Sequence, residues 1–197
     1  FLTGAAKFTD DFNVAGQLWG AVLRSPFAHA EITAIDTSAA MAVPGVVGVY
    51  TAQDLLADNI GPLPCAASTV VQTVAPMNVP PRHALAVGRV RHVGDPVAFV
   101  VAMEHNTALD ALDLIEVDFA PLPAVTQVDQ AASGDTLIHE DAGENMATRY
   151  TVGRGDADDA FRRAAYTRRE RFTTNRHGAV PMETRGVLAT RDAVSGE

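Results

Sequence analysis

The sequence predicts an α+β fold, followed by the beginning of a second α+β domain. Short apolar runs alternate with short helical patterns over residues 1–125, whereas residues 126–145 are polar and rich in small side chains. The charge balance also changes there, because residues 1–144 hold 5 Lys/Arg and 17 Asp/Glu whereas 145–197 hold 10 Arg and 7 Asp/Glu. We therefore expect a first domain over 1–125, a linker over 126–145 and the beginning of a second domain over 146–197.

The first 60 residues contain two predicted steps from strand to helix. Apolar runs bounded by glycine or proline predict strands. Asp36-Thr37-Ser38 offers an N-cap for a short helix, and Pro44-Gly45 predicts where that helix ends. The predicted elements are strands over 18–23, 29–35 and 46–50, a helical turn over 39–43, and a capping box over 51–54.

A proline-rich stretch separates these elements from the predicted centre of the sheet. Residues 61–84 contain five prolines and little periodicity, so we expect an irregular loop. Residues 95–103 are apolar on both alternating faces, which is typical of a central strand covered on both sides. Phe99 should then be buried, and Phe99→Asp should be severely destabilising.

An amphipathic helix and a last short strand complete the predicted first domain. Asn106 is the expected cap, and apolar side chains recur at i, i+3, i+4 and i+7 from Ala108 to Ile115, so this face should pack on strand 95–103. Residues 117–119 form a short strand that Pro121 and Pro123 end.

The second domain is predicted from one capped helix and two strands. Gly155-Asp156 should cap a helix whose small and aromatic residues, from Ala157 to Ala165, line one face. Alternating or apolar segments over 166–175 and 186–191 predict strands, the first of them exposed.

Composition excludes several functional classes. A net charge of −9 and a pI near 5.0 argue against nucleic-acid binding, which needs an excess of cations. No apolar run is long enough to cross a bilayer, and the first residues lack a signal-peptide pattern. The single cysteine, Cys65, excludes an internal disulfide and an iron–sulfur cluster held by this chain alone, and it favours a reducing, cytoplasmic location.

No motif in the chain provides a self-contained active site. Gly153-Arg154-Gly155 begins like a dinucleotide fingerprint, but Asp158 occupies the third glycine position and would repel a pyrophosphate. Cys65 has no cation or helix N-terminus nearby in sequence that would activate it as a nucleophile, so we interpret it as a small apolar filler. The arginines between Arg162 and Arg171 are more typical of a solvated or subunit-facing strand than of an anion site.

The histidines give no metal signal, because none of them is spaced i, i+4 from another. We interpret them as surface or core residues and assign no catalytic, cofactor-binding or metal-binding residue to this chain. The six histidines are His29, His83, His92, His105, His139 and His177.

Several stretches, in order, resemble the large-subunit family of molybdenum hydroxylases, which includes xanthine dehydrogenase, aldehyde oxidase and carbon monoxide dehydrogenase large chains. Leu23 to Ala30 reads LRSPFAHA, residues 90–98 read VRHVGDPVA, and residues 115–125 read IEVDFAPLPAV. The opening FLTGAAKFTDD and the later segments 155–161 and 176–186 resemble the same family. The shared order of these motifs carries the resemblance, which covers nearly the whole chain apart from residues 61–84.

The resemblance implies an α/β hammerhead domain over residues 1–125, with strand–helix–strand units and a mixed sheet, and then the truncated start of a molybdopterin-binding domain. It implies that the chain is an N-terminal piece whose catalytic and cofactor-contacting residues follow Glu197. The parent enzyme would use water to oxidise or hydroxylate a small substrate: carbon monoxide, an aldehyde, a purine or an N-heterocycle.

The implied cofactor of the parent is molybdenum bound to molybdopterin cytosine dinucleotide, and none is expected in this segment alone. Partner subunits or domains would carry [2Fe–2S] clusters and FAD, and the parent would be a dimer of heterotrimers. The alternative hypothesis is a stand-alone, non-catalytic binding or assembly module. The two hypotheses differ in whether several hundred further residues follow.

Overall fold

The computed structural model describes residues 3–65, 77–150, 152–174, 177–181 and 183–191. The chain divides into two compact units, one over Leu18–Val152 and one that combines the residues up to Gln17 with those from Gly153 onward. Within the described ranges, no helix is long and apolar enough to cross a membrane.

The larger unit is built on two three-stranded sheets. Their orders are β1–β5–β3 and β4–β2–β6. The strands are β1 (Trp19–Arg24), β2 (Ala30–Asp36), β3 (Val46–Thr51), β4 (Arg89–Val90), β5 (Pro96–Ala102) and β6 (Glu116–Pro121). Among its described residues, this unit has the helices α1 (Ser38–Met41), α2 (Ala52–Ala57), α3 (His105–Leu112) and α4 (Val128–Ser133), with a 3-10 turn over Glu140–Ala142.

This architecture confirms the α+β class but not the mixed sheet. Every strand pair that the described residues form is antiparallel. The strands that α1 connects, β2 and β3, lie in different sheets, so their connection imposes no parallel pairing. The expectation of a mixed sheet was therefore wrong.

Strand β5 is central, as the sequence predicts, but only one of its faces is fully covered. Ala98, Val100 and Ala102 are completely buried in the core cluster that includes Ala108 and Ala111 of α3. On the opposite face Phe99 and Val101 are only half-buried. Val97, near the start of the strand, is fully buried in a second core cluster with Ala30 and Val90. The expectation of cover on both sides is therefore confirmed only in part, because an apolar run does not reveal how much of each face another element covers.

On the half-buried face of β5, the Phe99 ring packs against Gly20 of β1. A Cβ on Gly20 of β1 would overlap Cζ of Phe99, well inside van der Waals contact. Val22 and Phe99 are paired across the two strands, which places Gly20 two residues along on the same side. The absence of a side chain at Gly20 therefore provides the space that the Phe99 ring occupies.

We expect Gly20→Ala to lower the free energy of unfolding by about 1–3 kcal/mol, because the new methyl group displaces the Phe99 ring. Combining it with Phe99→Ala should remove most of that extra cost in a double-mutant cycle measured by urea unfolding. The control is Gly61→Ala, since nothing lies within 4 Å of a Cβ there. Equal effects at Gly20 and Gly61 would contradict this packing.

Two predicted helix starts have different outcomes. The capping box is confirmed at α2, where Oδ2 of Asp54 accepts hydrogen bonds from the backbone N–H of Thr51 at 2.6 Å and from its hydroxyl at 2.8 Å. The same two bonds, the backbone one first, lower the pKa of Asp54. The cap predicted at Asn106 was wrong: α3 begins two residues earlier, because Glu104 is extended and its carbonyl accepts from Ala108 N–H.

The segment predicted as a linker has its own regular structure. Residues 126–145 contain α4 and the 3-10 turn, and they belong to the larger unit. The proposed domain limits at 125 and 146 stay a prediction.

The smaller unit contains a 3-10 turn over Thr9–Asp11 and helix α5 (Ala157–Arg163). The predicted cap is confirmed, because the Asp156 carboxylate accepts a hydrogen bond of 2.8 Å from Asp159 N–H. No strand forms within described residues 166–174 and 183–191; residue 175 lies outside the described residues. Neither segment pairs with a neighbouring backbone in the described parts of the chain, and a strand requires such a partner.

Candidate functional site

Three of the family-like motifs meet in the larger unit at what we call the motif junction: residues 24–29, 91–95 and 121–123. Ser25, which is buried, donates its backbone N–H to the Asp95 carbonyl at 2.9 Å and accepts from Gly94 N–H at 2.8 Å. Nη1 of Arg24 donates to the Gly94 carbonyl at 3.0 Å. Backbone groups thus fix motif 23–30 against motif 90–98.

His29 joins the third motif to this junction. Its side chain is buried, and Nδ1 lies 2.8 Å from the carbonyl oxygen of Pro123. A carbonyl only accepts, so Nδ1 donates the proton of this hydrogen bond. Nε2 is buried and has no hydrogen-bond partner among the described residues. The Leu122 N–H donates in turn to the His29 carbonyl at 2.9 Å.

Two arginines at the end of β4, Arg89 and Arg91, contact residues 126–147, which we call the bracket. Nε of Arg91 donates to the Ile138 carbonyl at 3.0 Å, while the Arg91 backbone N–H donates to Asp95 Oδ2 at 2.9 Å. Arg89 forms ion pairs with Glu31 at 2.8 Å and with Glu140 at 3.1 Å, and these two carboxylates raise its pKa. The bracket is therefore held to the end of β4 on both sides of His139.

Asn145 organises the interior of the bracket. Its Oδ1 accepts from Ile138 N–H at 2.9 Å, and its Nδ2 donates to the carbonyls of Thr136 at 2.7 Å and Ala131 at 3.3 Å. Asn78 adds an outside support, because its backbone N–H donates to the Ala147 carbonyl at 2.8 Å. The Asn145 side chain thus satisfies backbone groups that have no regular secondary structure to pair them.

His139 occupies the charged end of the bracket. Partial burial lowers its pKa, and the neighbouring positive charge of Arg91 lowers it further. His29 acts in the same direction, whereas the carboxylates of Asp95 and Asp141 oppose the shift. The neutral imidazole is therefore the form that this environment favours.

The other candidate residues do not converge on a common site. Among the described residues, no three His, Cys, Asp or Glu side chains are grouped so that they would hold a metal ion. His92 is exposed and lies 3.6 Å from Asp95 Oδ2, and His105 is exposed beside the Trp19 ring. Cys65 and His83 are half-buried in the proline-rich stretch. The absence of a catalytic, cofactor or metal residue from this chain stays a prediction.

The arginine-rich segment of the smaller unit is exposed, as expected of a solvated surface. Arg162 and Arg163 pair with Asp159 within α5, and Arg168 pairs with Glu170. All these side chains lie at the surface, where such pairs stabilise the fold little.

Sequence reasoning missed Arg91 and Asn145 as organising residues. Both make contacts with backbone carbonyls, and Arg91 reaches one 47 residues away along the chain. Neither contact leaves a periodic or motif-level signal. The only available sign was that Arg91 lies inside the VRHVGDPVA motif.

Two family descriptions match the chain in succession. "Aldehyde oxidase and xanthine dehydrogenase, a/b hammerhead domain" matches residues 3–123, and "Molybdopterin cofactor-binding domain" matches residues 138–197. Among solved structures, quinoline 2-oxidoreductase from Pseudomonas putida 86 is similar with a TM-score of 0.72 and 34% identity, covering 84% of this chain and 20% of that one. The fold is thus that of the large subunits of molybdenum hydroxylases.

Curated relatives agree with this class. The chain is 38% identical over 188 residues to the nicotine 6-hydroxylase large subunit of Paenarthrobacter nicotinovorans, which covers 95% of this chain and 22% of that protein. It is 35% identical over 211 aligned positions to the carbon monoxide dehydrogenase large chain of Afipia carboxidovorans, covering 100% of this chain and 25% of that protein. The chain belongs to the aldehyde oxidase and xanthine dehydrogenase family, a family of molybdopterin oxidoreductases, and spans about a quarter of the length of these relatives.

The start of α5, where the sequence begins like a dinucleotide fingerprint, does not fit a pyrophosphate group. At the start of α5, the Asp156 carboxylate already accepts from the Asp159 N–H. Asp158 and Asp159 place two more carboxylates in the first turn. A phosphate would meet negative charge there, and α5 is only seven residues long.

Proposed function

We propose that this chain is the N-terminal portion of the molybdenum-cofactor subunit of an oxidoreductase. The observation that carries the proposal is the succession of the hammerhead match over 3–123 and the cofactor-domain match over 138–197. The contact between Arg91 and Ile138 supports it, because it joins a hammerhead motif to the residue at which the second match begins.

The parent enzyme oxidises or hydroxylates a small substrate, with water as the source of oxygen. Carbon monoxide, aldehydes, purines and N-heterocycles all remain candidate substrates. Relatives named for nicotine, carbon monoxide and xanthine chemistry have comparable sequence identity to this chain, so identity does not select among them. In the proposed parent the cofactor is molybdenum with molybdopterin cytosine dinucleotide. It supplies the redox chemistry, and this chain supplies part of the scaffold.

The proposed partners are subunits or domains with [2Fe–2S] clusters and FAD, in a cytoplasmic dimer of heterotrimers. One relative is a subunit of the 6-hydroxypseudooxynicotine dehydrogenase complex, which supports a multi-subunit assembly. The chain itself contains one cysteine, whereas such clusters need several thiolates.

The test is to purify the protein that contains this chain from its native source and to measure molybdenum, iron and flavin per polypeptide. We expect about one molybdenum per copy and dye reduction with at least one of the four substrate classes. The control is the purified 197-residue chain, which should contain no stoichiometric molybdenum, iron or flavin and should reduce no dye. One tightly bound molybdenum in the isolated chain would contradict the placement of the site outside it.

A native protein without molybdenum, in which this chain occurs alone, would overturn the proposal. That outcome would support the alternative of a non-catalytic binding or assembly module.

A further inference from the structure

The strongest unassigned feature is the position of His139, between two anchored points of the bracket. The preceding residue, Ile138, is bound to Arg91 through its carbonyl, and the following residue, Glu140, is paired with Arg89. The side chain is itself half-buried. A change in the charge of His139 therefore takes place between the two contacts that hold the bracket to the end of β4.

We propose that the bracket is a pH-sensitive latch, which is closed while His139 is neutral and opens when His139 is protonated. This role is independent of the parent enzyme's activity. It requires only that protonated His139 is less stable in the closed bracket than in the open one. In the closed bracket it is partly buried near the positive charge of Arg91, whereas in the open bracket it is solvated.

The groups around His139 define the electrostatic balance. The segment after β4 presents Arg91 and Asp95, the loop before β2 presents His29, and the bracket itself presents Asp141. Arg89 and Glu140 lie next to this set, but they are paired with each other, and Arg89 is also paired with Glu31. Asp95 already accepts from the Arg91 backbone N–H, so its carboxylate is engaged elsewhere.

The direction of the pH effect follows from the lowered pKa of His139 in the closed state. An open bracket returns the imidazole to water, where its pKa is about 6.5. The open state then binds more protons than the closed state, so acid favours opening. The latch is fully closed above about pH 6.5 and weakens progressively as the pH falls below that value.

The experiment is amide hydrogen exchange of the 197-residue chain, read by mass spectrometry between about pH 7.5 and about pH 5.0 and corrected for intrinsic exchange. We expect the protection of the Ile138, Ala142 and Gly143 amides to fall several-fold toward acid. The amides of β5 serve as the internal reference and should keep their protection. His139→Gln removes the titrating group and should abolish the pH dependence of the bracket.

The matched control is His105→Gln, because His105 is an exposed histidine of α3 that lies beside the Trp19 ring of β1. This variant should keep the wild-type pH response. Unchanged bracket protection across the pH range in the wild type, or a wild-type response in His139→Gln, would overturn the latch. Should His139→Gln fail to fold, an NMR titration of the wild-type chain decides, since a His139 pKa above about 6.5 contradicts the proposal.

Discussion

Val100→Asp should unfold the larger unit or lower its free energy of unfolding by about 4 kcal/mol or more. Val100 is fully buried at the centre of β5, between Ala21 of β1 and Val49 of β3. The core cluster around it consists of apolar side chains, so a carboxylate there gains no charge partner from its neighbours. Circular dichroism during thermal and urea unfolding measures the effect.

Phe99→Asp is the matched control, because it introduces the same carboxylate one residue earlier in the same strand. Phe99 is half-buried on the opposite face, so water reaches part of the new group and the cost should be clearly smaller. The sequence alone predicts that Phe99→Asp is severely destabilising. With the ring half-buried, we expect a smaller loss in the free energy of unfolding. Equal destabilisation by the two substitutions would show that both faces of β5 are covered in solution.

The elements that the sequence predicts correctly are those with local signals. Strand β5 and helix α3 have a continuous apolar run and an i, i+3, i+4, i+7 pattern, and both are present near the predicted positions. The division into two antiparallel sheets was not predicted, because it depends on pairings such as β1 with β5 that join residues about 80 positions apart. Periodicity within a segment contains no information on its partner.

The bracket shows a second limit of sequence reasoning. A polar stretch of small residues is typical of a linker, but the same composition is needed where side chains satisfy an irregular backbone. Asn145 is such a residue here, because its side chain bonds to three backbone groups. Composition alone does not distinguish a solvated asparagine from one that organises a fold.

Asn145→Ala should selectively destabilise the bracket while it leaves the two sheets folded. The substitution removes one acceptor and two donors, and it leaves Ile138 N–H and the carbonyls of Thr136 and Ala131 without these partners. At about 1 kcal/mol net for each hydrogen bond, the local loss is about 2–4 kcal/mol. Since proteolysis follows the population of the open form, about 2 kcal/mol makes cleavage within 126–147 roughly 30-fold faster.

Limited proteolysis with mass-spectrometric mapping of the first cut measures this effect, and thermal unfolding of the same samples reports on the sheets. Asn106→Ala is the control, because it makes the same change at an exposed position in α3 and should leave the cleavage rate near that of the wild type. Cleavage in the Asn145→Ala variant at the wild-type rate would mean that the Asn145 bonds do not hold the bracket. The contacts of Arg91 with Ile138, Arg89 with Glu140 and Asn78 with Ala147 would then account for its order.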